Sequence, residues 1–167
     1  MYSLNSYAKK NKEYACIKES YRGIKLPYIS LLEYEKAKGK IITFPTFIST
    51  SEDPKVAERF SGKRNSKDLY ERGLLFSVIC FIRNNLKEKW ISNGIYLEGQ
   101  SMHAKEKEIL FLPFSFFYVS DVQINLENCT AEIFLEAIGK EEILEEKIKI
   151  GKEIEYNKDS NIMQVKQ

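Results

Sequence analysis

Glu106 and Glu108 stand one residue apart in "HAKEKEILFLPFSFFYV", residues 103–119, where a charged stretch meets an almost wholly apolar one. In an extended chain, side chains two apart point the same way. The two carboxylates would then share one face, with α-carbons roughly 6.5–7 Å apart, and Lys107 would face the other. One reading is a solvated strand end, charged as gatekeepers are beside a hydrophobic strand. The other is one site in which a carboxylate stays ionised while its neighbour handles a proton. Such a pair suits chemistry at an anomeric carbon, where a developing oxocarbenium ion needs a nearby negative charge and a second acid acts on the incoming nucleophile. Glycosidases fit this description, and so do enzymes that break N-glycosidic bonds.

Two further stretches bear on that choice. "SYRGIKL" sets Arg22 directly before Gly23: a planar cation suited to a diphosphate, beside a residue that lets a ligand approach the backbone. A surface arginine in a turn is the plainer account. "FPTFISTSEDPKVAERF" carries Ser49, Thr50 and Ser51 in a row just ahead of a helix start, where hydroxyls also serve as caps and turn formers. The only histidine, His103, sits in a polar stretch, where it reads as solvated rather than as a general base. No cluster of His, Cys, Asp and Glu has metal-ligand spacing, so no metal is expected.

Taken together and in this order, "YRG", "FPTFISTSEDPKVAERF", "GLLFSVICFI" and "EKEILFLPFSFFYV" resemble the arginine-serine-glutamate class of mono-ADP-ribosyltransferases, over roughly Ser20 to Val119. The resemblance implies an α+β fold of the ADP-ribosyltransferase type: two packed, mostly antiparallel β-sheets with flanking helices and an NAD cleft between them. It implies that Arg22 holds the NAD phosphates and that the Gly23 backbone meets the nicotinamide amide. Ser49 would steady the catalytic Glu108, with Thr50 and Ser51 supporting that corner. Glu108 would bond the nicotinamide ribose and stabilise the cationic sugar, and Glu106 would position and deprotonate the acceptor. A glutamate rather than a glutamine at 106 points to arginine as that acceptor. A guanidinium is protonated in water and needs such a base before it can attack. Phe60 is the nearest aromatic for stacking on nicotinamide, although it falls with Val56 and Ala57 on the core face of a short helix. Trp90 and Tyr96 are weaker candidates for lining the cleft.

The implied activity is transfer of ADP-ribose from NAD, as substrate, to an arginine of an acceptor protein. Hydrolysis of NAD at the same site and a non-catalytic NAD- or protein-binding module are the alternatives. The glycosidase reading comes last, because it leaves "YRG" and Ser-Thr-Ser unexplained.

The elements that must position these residues follow from pattern. Pro27 opens a helix over "PYISLLEYEKAKG", and "KIITF" is a strand. Asp53 and Pro54 form the cap and first residue of a second helix. Residues 73–82 form a buried strand, and residues 106–119, 121–126 and 131–138 form three more. Helices cluster early and no alternating strand-helix rhythm runs through the chain. Residues 1–20 read as an N-terminal helical segment, 21–150 as the catalytic domain, and 151–167 as a polar tail; from Lys140 onward the chain reads as a charged helix or another strand, ending in a polar fringe that frays.

With 167 residues, 43% hydrophobic, the chain can close one substantial core. The 26 basic residues nearly balance 24 acidic ones, so no broad field gathers nucleic acid or anionic membrane. Cys16, Cys80 and Cys129 are too few and too scattered for a disulfide scaffold, which fits a reducing compartment. The sequence shows neither a signal pattern nor a membrane-length apolar run, and the expectation is a soluble, cytoplasmic monomer.

Overall fold

The computed structural model describes residues 19–62, 75–84, 94–97, 107–138, 154–157 and 162–165. Within them the chain forms ten strands and two helices: β1 (Glu19–Pro27), α1 (Tyr28–Lys36), β2 (Ile41–Thr43), β3 (Ile48–Ser51), α2 (Pro54–Ser61), β4 (Leu75–Asn84), β5 (Gly94–Tyr96), β6 (Glu108–Phe111), β7 (Phe116–Asn125), β8 (Thr130–Ile138), β9 (Ile154–Asn157) and β10 (Ile162–Val165). Hydrogen bonds link the strands in the order β5-β6-β3-β1-β4-β8-β7-β2-β10-β9. Every described pairing is antiparallel except that of β4 with β8.

This ladder folds into two layers. β6 and β7 are five strand spacings apart in the order, about 24 Å if the sheet lay flat. Yet the rings of Phe111 on β6 and Phe117 on β7 pack edge to face with centroids 5.3 Å apart. The crease lies between β1 and β3, which share a single register pair, Tyr21 with Ser51. By contrast β1 and β4 stay in register along their whole length, from Glu19–Arg83 to Pro27–Leu75. Between the layers sit the fully buried Ile109, Phe111, Phe117, Val119, Ile133 and Val78, with Leu31 of α1 closing one end. Each such side chain contributes about 1.5–3 kcal/mol on leaving water.

The two helices start and stop by local chemistry. In α2 the Asp53 carboxylate accepts from the Lys55 amide (2.9 Å), Pro54 takes the first position, and Gly62 ends the helix in the left-handed region at φ 72°. Val56 and Ala57 are buried against β1. In α1 the buried face is Ser30, Leu31 and Tyr34, and Gly39 at φ 76° turns the chain toward β2.

Three sequence expectations differ from the fold. The run 106–119 is not one strand, because Pro113 offers no backbone donor and Phe114 turns the chain at φ 61°. Residues 116–125 instead form one strand, with an irregularity between Val119 and Asp121 where two segments were expected. Residues 154–157 and 162–165, expected within a fraying tail, pair with each other and extend the sheet at β2. The helix expected over the first residues lies outside the described residues, as do Trp90 and His103.

Candidate active site

The site begins at the crease. β3 leaves β1 after one pair and runs instead along β6, with Ser51 opposite Glu108, Thr50 opposite Ile109 and Ser49 opposite Leu110. Ile48 and Thr50 face the core and are buried, so Ser49 points the other way and is exposed. Its hydroxyl donates to Glu108 Oε1 at 2.7 Å. Arg22 on β1 reaches across the opening and donates from Nη1 to the backbone oxygen of the same serine at 2.8 Å. One residue therefore ties the carboxylate and the guanidinium together, by its side chain and its backbone respectively.

The rest of the serine-threonine-serine run braces this corner. The Thr50 hydroxyl donates to the Ile109 carbonyl at 2.9 Å inside the β3–β6 ladder. Ser51 Oγ accepts from the Asp53 amide at 2.9 Å, tying the strand to the start of α2. Both residues are buried, so their hydroxyls serve the protein itself. Glu108 is held from the other side as well, its carbonyl accepting from the Leu97 amide at 2.9 Å.

Arg22, Gly23, Ser49, Thr50, Ser51, Phe60 and Glu108 line one groove of about 200 Å³, together with Tyr21, Val56 and Ala57. This is smaller than the roughly 300–1,000 Å³ of clefts that enclose a whole ligand, so it suits one end of a dinucleotide. Cavities of about 210 and 360 Å³ elsewhere on the sheet contain none of the sequence candidates. Chemistry rather than size therefore picks out the groove. Phe60 is 59% exposed: the alternative that made it a core residue does not hold, because α2 turns Val56 and Ala57 inward and leaves Phe60 at the groove.

At two candidates the structure adds what the sequence did not show. A β-carbon added at Gly23 would lie 1.7 Å from the Ala57 carbonyl oxygen and 2.7 Å from the Ser61 amide, both backbone of α2. The close approach that glycine permits is made by the protein's own helix. Lys107 sits in the left-handed region at φ 45°, with its carbonyl accepting from the Glu52 amide at 3.1 Å. Lys107 itself is therefore not extended, and β6 begins at Glu108. Glu106 itself lies outside the described residues.

The electrostatics favour an anion beside Arg22. Among the described residues no carboxylate lies within ion-pair range of it. Burial pushes the Tyr34 phenol above its ordinary value and the Cys80 thiol up to about 12, with the Arg22 charge opposing both shifts. Among the described residues, only one of the five guanidinium N–H groups, the one given to Ser49, has a side-chain hydrogen bond. Sequence reasoning missed Tyr34 and Cys80, which reach Arg22 only through tertiary packing. Tyr21 could have been found, since strand alternation puts it on the face of Gly23. Its hydroxyl donates to Glu19 at 2.8 Å; that bond, burial and the Glu19 charge raise its pKa. Among the described residues no group of His, Cys, Asp and Glu could hold a metal, and no helix is long and apolar enough to cross a membrane.

The creased sheet has the ADP-ribosyltransferase fold, and solved structures bear the fold out. The chain superimposes on the crystal structure of ADP-ribosyltransferase Vis in complex with the M6 inhibitor, with a TM-score of 0.60 and 26% identity, over 90% of this chain and 58% of that one. A complex of Vis with agmatine gives a TM-score of 0.57 at 23% identity, over 89% and 58% of the two chains. The chain is also homologous in sequence to a Vibrio splendidus (strain 12B01) protein named "Putative NAD(+)--arginine ADP-ribosyltransferase Vis": 31% identical over 106 residues, 62% of this chain and 37% of the relative. The chain thus spans little more than a third of that curated relative's length. No family model matches it.

Proposed function

We propose that this chain transfers ADP-ribose from NAD to an arginine of an acceptor protein and releases nicotinamide. The observation that carries the reading is the Arg22–Ser49–Glu108 chain, with its two hydrogen bonds of 2.8 and 2.7 Å. The other donors of Arg22 take the NAD diphosphate, and the exposed ring of Phe60 offers a stacking face to nicotinamide. Glu108, fixed by Ser49, accepts from a ribose hydroxyl. The bond between ribose and nicotinamide nitrogen breaks with its electron pair going to nicotinamide, and the carboxylate stabilises the sugar cation left behind. A guanidine nitrogen of the acceptor forms the new bond and loses a proton to Glu106, the nearest second acid in the chain. Vis supports the choice of acceptor, since its name gives NAD and arginine and one of its crystal structures contains agmatine, a guanidine. All these residues fall within 21–150, the stretch assigned from sequence to the catalytic domain.

The same groove allows a second reading, hydrolysis of NAD, because a sugar cation beside Glu108 can be met by water as well as by an acceptor nitrogen. Water then takes the place of the acceptor. Nicotinamide release and label on an arginine-rich protein, measured side by side from labelled NAD, separate the two. For wild type the expected result is labelled arginine, and Glu108→Gln is expected to lose release and label alike by about 10²-fold or more. Release without label would establish hydrolysis, and equal activity of wild type and Glu108→Gln would end both readings.

A further inference from the structure

The cavity of about 360 Å³ shares no lining residue with the groove, and its size falls within the range of pockets that enclose a small ligand. Ser61, the last residue of α2, borders it, while Val56, Ala57 and Phe60 of the same helix line the groove. Its floor is the outer face of the sheet. Phe76, Val78, Ala131 and Ile133 belong to the core, so alternation turns Ser77 and Ile79 of β4, and Thr130 and Glu132 of β8, the other way. Register sets these residues in two rows. Ser77 stands beside Thr130 and Thr130 beside Asn125 of β7; in the next row Ile79 stands beside Glu132 and Glu132 beside Gln123. With strands about 4.8 Å apart and same-face rows about 6.5–7 Å apart, Glu132 lies diagonally from Ser77 at about 8 Å between α-carbons.

Two of these groups lack the partners that a fold normally supplies. Ser77 is only 3% exposed, and its Oγ has no hydrogen-bond partner among the described residues, although its amide donates to Cys129 O at 3.0 Å. A hydroxyl buried in that state is costly, and on a cavity wall a ligand can offset the cost. The cavity is more than ten times the roughly 30 Å³ that one water occupies in the liquid, so a single bridging water does not fill it. Glu132 is the second group. Among the described residues no hydrogen bond or ion pair engages its carboxylate, and no lysine or arginine lines the cavity. Lys25, the register partner of Ser77, reaches Gly62 at the end of α2 instead, its Nζ 3.0 Å from where a β-carbon on that glycine would stand. Lys38 is taken by Asp121 at 2.7 Å. The lining thus offers hydroxyls, carboxamides, one negative charge and an aliphatic floor, with no aromatic ring. A planar base finds no stacking face there, and an anion meets a carboxylate with no counter-ion. A saturated cation rich in hydroxyls satisfies every wall.

We propose that this cavity binds a small polyhydroxylated amine of the amino-sugar kind, with its ammonium on Glu132 and a ring hydroxyl on Ser77. The site is separate from the NAD groove and does not depend on the transferase reading.

Isothermal titration calorimetry of the full chain, with glucosamine, glucose and glucuronate as probes, tests it on one ring carrying three charges. Wild type is expected to bind glucosamine about tenfold more tightly than glucose, the discrimination of one charge-assisted hydrogen bond, and to bind glucuronate too weakly to detect. Glu132→Gln should bring glucosamine down to the level of glucose. Ser77→Ala should weaken glucosamine about fivefold and, because it removes a buried hydroxyl without a partner, should not lower Tm. Nicotinamide release by both variants should stay within about twofold of wild type, since neither side chain lines the groove. Wild type that binds none of the three sugars would overturn the proposal and leave the cavity to ordered water. Equal binding of glucose and glucosamine by wild type, or a preference that survives Glu132→Gln, would remove the carboxylate as counter-ion and overturn it equally. A lowered Tm in Ser77→Ala with glucosamine binding unchanged would assign that hydroxyl to the fold, and the site would fall.

Discussion

Replacing Gly23 with alanine separates two accounts of this residue. If Gly23 serves chiefly to bring backbone close to nicotinamide, Gly23→Ala weakens NAD binding and leaves stability alone. The structure requires more. The new methyl would stand 1.7 Å from the Ala57 carbonyl oxygen, and bringing that contact to 3.0 Å asks α2 to retreat by roughly 1.3 Å. The obstacles are backbone atoms, so no rotamer change relieves them. The retreat would also draw Val56 and Ala57 out of their buried seats and strain the bond from the Asp53 amide to Ser51. Overpacking costs about 1–3 kcal/mol, and the partial loss of one buried aliphatic side chain adds about 1 kcal/mol. We expect a loss of about 3 kcal/mol, which for a chain of 167 residues lowers Tm by about 6–12 °C. Thermal unfolding followed by circular dichroism reads this directly. NAD turnover should fall as well, because α2 carries Phe60 and anchors Ser51. A variant melting within 2 °C of wild type would show that α2 does not need the space at Gly23, and the packing argument would fail.

Ser49→Ala should split kcat from KM. It removes the hydroxyl that holds Glu108 but keeps the backbone carbonyl that holds Arg22, so nicotinamide release should slow by about tenfold with the KM for NAD little changed. A raised KM with kcat intact would reverse the assigned roles. Asp121 is held down to about 2 by hydrogen bonds from Lys38, then Gln123 and the Val122 amide. Its folded value lies below the ordinary one, so its contribution to stability is full above pH 4 or so and is lost as pH falls through about 2. Carbon-detected NMR titration should find that midpoint in wild type and a higher one in Lys38→Met; identical midpoints would remove Lys38 as the cause.

The chemistry was legible where it is local. Asp53, Pro54 and the apolar Val56 and Ala57 announce α2 because a cap, a first-turn proline and a helical face are all settled within a few residues. The long apolar run of β4 is likewise visible, since residue type needs no partner to be read; that Ser49 meets Glu108 was implied only by the family resemblance. The error at Lys107 has the same origin: alternation was extended one residue past the point where the strand begins, and a single left-handed φ is not written in residue types.

By itself the sequence determined the set of reactive side chains, the helices and strands that carry them, and the α+β class, because these follow from propensity and short-range spacing. The tertiary structure decided how they meet. The one-pair crease between β1 and β3 brings Arg22, Ser49 and Glu108 together across 86 positions of chain, from residue 22 to residue 108. Crossing of α2 over β1 gives Gly23 its necessity and leaves Phe60 in the open, and the pairing of β10 with β2 enlists residues that looked like a tail. Each of these depends on the packing of surfaces distant in sequence, whose fit is set by shape and burial over the whole fold.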